Sequence, residues 1–179
     1  AFETIERRQL LAANLHIGAV YYEDATGEDL AADVIEITWL GGAPGTQLTQ
    51  LSIDTDKLHD GLTIGDVFFD TAAGGRGAFG ASGLVIVAST GINDVQAQVS
   101  DGASRIVFNF VGFDVGEKFV FSIDVDEVGF LGDNAVAEGN EFEGSQLTAT
   151  FEAPHFFDVS GDDIFYDAYD ANFAGLGLN

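Results

Sequence analysis

From Lys118 to Asp126 the chain alternates without a break. Phe119, Phe121, Ile123 and Val125 hold one parity, and Val120, Ser122, Asp124 and Asp126 hold the other. Successive side chains of a strand point to opposite faces, so such a run predicts a strand with one face in a core. The pattern recurs as short β-branched and aromatic runs, and strands are expected at 15–22, 33–40, 47–53, 66–70, 84–89, 94–99, 105–113, 118–125, 146–152 and 156–159. Between them stand turn formers: Gly41-Gly42-Ala43-Pro44-Gly45, Gly74-Gly75-Arg76-Gly77, Gly91-Ile92-Asn93-Asp94, Asp101-Gly102 and Asp114-Val115-Gly116. Strand follows strand with no helix between, which predicts an all-β fold, an antiparallel β-sandwich of Greek-key or jelly-roll style. Arg105 to Val125 reads as the clearest hairpin, with Phe108 and Phe110 on its core face. One short helix is expected over 3–13, where Ile5, Leu10 and Leu11 make an apolar face and Asn14 ends it. The expected organisation is a helical segment at 1–14, a sandwich at 15–159, and an extended tail or linker at 160–179.

At 179 residues the chain suits one domain, able to bury roughly two-thirds of its unfolded surface. It has no cysteine, which removes disulfides, thiolate metal sites and cysteine nucleophiles. Thirty Asp and Glu face six Lys and Arg, a formal charge of −24, yet 46% of residues are hydrophobic and sixteen are Phe. That apolar content excludes a disordered acidic tail. The charge repels phosphates and anionic membranes, so no nucleic-acid partner is expected. No run of eighteen apolar residues offers a spanning helix. Divalent cations are the natural counter-charge, although most of the carboxylates are expected simply to solvate the surface.

The strongest candidate site is Asp124 and Asp126. Period-two spacing puts both on one face at a strand end, where they repel unless a cation sits between them. The acid-rich loop that follows brings Asn140, Glu141 and Glu143 as further oxygen donors. Calcium, which takes six to eight oxygens, fits this set best; the alternative is a solvated acidic loop. A second acidic group, Asp54, Asp56, Asp60, Asp66 and Asp70, has Lys57 and His59 among it and reads as an exposed loop. A third, Asp158, Asp162, Asp163, Asp167 and Asp170, is interleaved with Phe165, Tyr166 and Tyr169 and reads as an ion site or a sticky terminal strand.

No catalytic constellation stands out, and a non-enzymatic role is expected. His16, His59 and His155 have no zinc-site spacing, the serines form no G-x-S-x-G elbow, and the Gly74–Gly77 turn lacks the Lys-Ser/Thr of a phosphate loop. Carboxylates are too many to single out a glycosidase pair. Trp39 with Tyr21 and Tyr22 could form a platform for a sugar ring, but Trp39 shares its parity with Ile35 and Ile37, which points to the core.

The start of the chain, Phe2-Glu3-Thr4-Ile5-Glu6-Arg7-Arg8-Gln9-Leu10-Leu11, resembles the LEPR-XLL segment of exported planctomycete-type surface proteins, with Ile5 and Arg7 in place of the usual Leu and Pro. Residues 106–151, including Gly112-Phe113-Asp114, Phe121-Ser122-Ile123-Asp124-Val125-Asp126-Glu127 and Glu141-Phe142-Glu143-Gly144-Ser145, look like a β-rich module of SdrD-B-like multidomain exoproteins. The resemblance implies an extracellular or cell-surface structural or adhesive module, stabilised by calcium. Its partners would be further copies, joined into filaments by strand addition from residue 156 onwards, or other surface proteins. The alternative is a carbohydrate-binding module or glycan-active domain.

Overall fold

A computed structural model describes residues 14–22, 33–76, 81–129, 141–154 and 156–166. The expected helix at 3–13 lies outside these residues. No described residue is helical, and the strands run antiparallel in two facing sheets, a β-sandwich. The strands are β1 (Leu15–Tyr22), β2 (Asp33–Gly41), β3 (Gln47–Asp54), β4 (Val67–Phe69), β5 (Val85–Thr90), β6 (Asp94–Gln98), β7 (Arg105–Val111), β8 (Lys118–Ile123), β9 (Val125–Glu127), β10 (Gln146–Ala153) and β11 (Phe156–Ile164). One sheet has the order β1-β2-β8-β5, the other β11-β10-β3-β7-β6, and β4 pairs with β9 in a third, two-stranded ladder.

The alternation seen in the sequence is the alternation of burial. Ile35, Ile37 and Trp39 of β2 and Phe119, Phe121 and Ile123 of β8 point inward from the four-stranded sheet. Leu48, Leu51 and Ile53 of β3, Ile106, Phe108 and Phe110 of β7, and Leu147, Ala149 and Phe151 of β10 meet them from the five-stranded sheet. Trp39 is only 1% exposed and stands edge-on to Phe151, with ring centroids 5.3 Å apart. It belongs to the core, and no sugar platform can be built on it.

The segment read as a hairpin is not one. β7 lies in the five-stranded sheet and β8 in the four-stranded sheet, so residues 112–117 cross from one layer to the other. The reason lies in the rings. Both strands carry Phe on their core parity, and Phe108 packs across the gap on Phe119 at 5.0 Å and Phe121 at 4.6 Å, while Phe110 meets Phe119 at 5.1 Å. Facing layers let the rings interlock edge to face; side-by-side strands would lay both rows on one surface. The true hairpin partner of β7 is β6, joined through Asp101-Gly102, where Gly102 takes a positive φ of 70°.

Two other boundaries differ. The strand expected at 118–125 breaks at Asp124, after which β9 leaves the four-stranded sheet to pair with β4. The strand expected at 156–159 continues to Ile164 as an edge strand, into the region expected to be a tail; residues from 167 onward lie outside the described set. Replacing Phe108 by Ala should cost about 3–5 kcal/mol, because it opens a cavity where three Phe rings converge. Urea denaturation of the variant against wild type measures this.

Candidate metal centre

β4 is only three residues long, but it is stitched to the five-stranded sheet on one side and to β9 on the other. Phe69 N–H donates to the Ala103 carbonyl and Gly102 N–H to the Phe69 carbonyl, each at 2.9 Å, tying β4 to the β6–β7 turn. Buried Thr55, just past β3, donates its hydroxyl to the Val67 carbonyl, and its N–H to Ser104 at 2.8 Å. On its other side β4 pairs with β9 in the register Val67 to Glu127, Phe68 to Asp126 and Phe69 to Val125. One step further Asp70 N–H donates to the Asp124 carbonyl at 3.0 Å, so Asp70 stands opposite Asp124.

Directly opposed residues of an antiparallel pair share a face, and so do residues two apart on one strand. Asp70, Asp124 and Asp126 therefore converge, and one carboxylate oxygen from each lies within 4.8 Å of the others. Asp70 is 1% exposed and Asp124 5%, with Asp126 half-buried.

Asp70 is the decisive member. Its Oδ1 is buried without a hydrogen-bond partner. Among the described residues Trp39 Nε1 and Ser145 Oγ also lack one, but those groups carry no charge. Desolvation pushes the Asp70 carboxyl above the usual carboxylate range; a hydrogen bond from Ala72 opposes the rise, and neighbouring Asp101 adds to it. A buried carboxylate with an orphan oxygen, crowded by other carboxylates, is an arrangement that a hard cation relieves. The donors present, three carboxylates, are the oxygen ligands that a hard divalent cation takes.

Asp54, Asp56 and Asp66 of the second group accept hydrogen bonds within the protein, and Asp60 is exposed. Asp66 accepts from Lys57 N–H at 3.0 Å, Thr63 N–H at 2.7 Å and the Thr63 hydroxyl at 3.0 Å. Burial pushes its carboxyl up, but these hydrogen bonds outweigh burial and hold it below the ordinary value. Asp56 accepts from the N–H groups of Asp60 and Gly61, and Asp54 from that of Asp56, so both serve to shape a turn. In the third group Asp162 accepts from Gln146 Nε2 at 3.1 Å, and Asp163 from Ile164 N–H.

The calcium set read from the sequence is thus redrawn. Asp124 and Asp126 come together as expected. Glu141 and Glu143 are not in the group: Glu141 accepts from the Tyr21 hydroxyl, beside Phe142, which stacks on Tyr21 at 4.5 Å, and Glu143 is exposed. Asn140 lies outside the described residues. Phe142 belongs to the core, and it draws this loop onto β1 and Phe165. Asp70 is the residue that sequence reasoning passed over. Its signal was present, a three-residue apolar run closed by an acid, but only the pairing of β4 with β9 shows which acids it meets.

His16 is exposed on β1, His59 occupies a turn with φ of 55°, and His155 lies outside the described residues. Among the described residues no helix is long and apolar enough to cross a membrane. No protein-family model matches the chain, and no curated protein matches it.

Asp66 yields a pH test. Its folded carboxyl sits below the ordinary value, so its stabilisation is full above the usual carboxylate range and is lost as pH falls from there through the lowered folded value. Asp66→Asn should cost about 1–3 kcal/mol at pH 7, since an amide nitrogen replaces one accepting oxygen. Denaturant midpoints of variant and wild type should draw together as pH falls below the usual carboxylate range.

Proposed function

We propose that this chain is a non-enzymatic structural module of the cell surface or extracellular matrix, its sandwich locked by calcium at Asp70, Asp124 and Asp126. The buried, unpartnered Oδ1 of Asp70 among facing carboxylates carries this reading. A cation there joins β4 to the chain at the end of β8, and any ligand that binds only the folded state adds its binding energy to stability. The surface role rests on the acidic balance and on the likeness of the chain start to exported surface proteins. The outer edge of β11, with Phe157 and Val159 exposed, supports an adhesive or self-associating use of that face. Analytical ultracentrifugation against protein concentration tests this last point; a single monomer sedimentation coefficient throughout would dismiss it.

Calorimetric melts with calcium and with chelator test the lock. At calcium 100-fold above its dissociation constant the gain is about 2.7 kcal/mol, and a chain of this size then melts roughly 5–10 °C higher. An unchanged midpoint rules the lock out. Asp70→Asn separates the lock from mere folding: it removes a charge that is buried without compensation when no cation is bound. In chelator the variant should melt at or above wild type, and added calcium should no longer raise its midpoint.

A further inference from the structure

We infer that the open side of the sandwich, between β1 and β11, takes an extended cationic segment of a partner protein, added as a fifth strand at the free edge of β1. The two layers are unequal, four strands against five, and β1 and β11 are the outer strands on one side. The mismatch shows in the burial. Cross-strand partners share a face, so Val159, Gly161 and Asp163 of β11 stand on the core side, opposite Phe151, Ala149 and Leu147 of β10. Those β10 residues are 2–7% exposed, whereas Val159 is 51% exposed and Gly161 and Asp163 are open to solvent. On the other layer Ile17, Ala19 and Tyr21 of β1 are only half-buried, although their partners Trp39, Ile37 and Ile35 are fully buried.

Between the two edges lies a cleft of about 340 Å³, floored by Leu147, Ala149 and Phe151 and walled by Leu15, Ile17 and Val159. Ligand clefts run from roughly 300 to 1,000 Å³, so this one has room for a few side chains. Glycine keeps it open: a Cβ at Gly161 would meet nothing within 4 Å. The φ of Gly161 lies outside the left-handed region, so the backbone there accepts a side chain that the sequence does not supply. Neighbouring strands lie about 4.7–4.9 Å apart, so a strand added to β1 extends its layer by the single strand it lacks. Alternate side chains of that strand then enter the cleft while its backbone bonds to β1, the mode of recognition by strand addition.

Charge selects the partner. Among the described lining residues only Asp162 and Asp163 are charged, and both are negative. A second copy brings a further −24, whereas a Lys or Arg on an incoming strand meets Asp163 on the core side of β11. The inference rests neither on the calcium lock nor on self-association: the occupant is a different chain, and a sedimenting monomer leaves it standing.

Fluorescence anisotropy of labelled eight-residue peptides, the length of β1, tests this on the full chain. The probes alternate Val with Lys, Ser with Lys, and Val with Glu. Wild type should bind the Val-Lys peptide, the Ser-Lys peptide on the order of tenfold more weakly, and the Val-Glu peptide not at all. Gly161→Leu, which fills the cleft, and Asp163→Lys should each weaken Val-Lys binding on the order of tenfold or more. Asp60→Lys, the same charge change on an exposed loop, should leave it unchanged. Thermal melts report that each variant folds. If the Val-Lys peptide fails to bind wild type, or binds Gly161→Leu equally well, the cleft is no strand site and the proposal falls. Equal binding of the Ser-Lys peptide, or an equal loss in Asp60→Lys, reduces the effect to bulk charge and overturns it too. Self-association of wild type that Gly161→Leu abolishes would make the occupant a second copy, against the proposal.

Discussion

Phe108 touches Phe119 and Phe121 across the gap between the two sheets, and the layered arrangement depends on that contact. A sheet buries only one face, so each of the two large sheets is unstable until the other covers it. Rings at 4.6–5.1 Å, meeting edge-on or tilted, fill the gap at the density of a protein interior. With β7 and β8 fixed on opposite layers, the chain leaving β8 emerges at the end of the sandwich opposite β4. There Asp124 breaks the strand, β9 turns onto β4, and the acidic cluster forms. The site thus follows from the core.

Charge distinguishes the acids by what surrounds them. Asp66 and Asp70 flank the same three apolar residues and are both buried. Asp66 faces a turn whose two N–H groups and hydroxyl converge on it, and it is satisfied as an anion. Asp70 faces other carboxylates and keeps a bare oxygen. Burial alone therefore does not mark a functional carboxylate; the sign of its neighbours does.

Much of this was legible in the sequence. Every strand expected from alternation exists, because a half-buried strand writes its two faces directly into the order of residues. The pairing of Asp124 with Asp126 was legible for the same reason. Which strands lie side by side was not: the parity of Phe108 and Phe119 is the same whether they are neighbours in one sheet or face each other across two. Asp70 was hidden by the same gap, since it lies more than fifty residues from Asp124 and meets it only through cross-strand register. The placement of Glu141 was not legible, because its neighbour Phe142 is a core residue that takes the loop onto Tyr21.

β11 is a nine-residue edge strand with Phe157 95% exposed, and an open apolar edge invites uncontrolled stacking of chains. Asp158, Asp162 and Asp163 stand along it as gatekeepers. Their deterrence is purely Coulombic, and its reach shrinks from about 30 Å at 0.01 M ionic strength to about 8 Å at 0.15 M. The electrostatic protection of this edge is therefore as much a property of the salt around the chain as of its sequence.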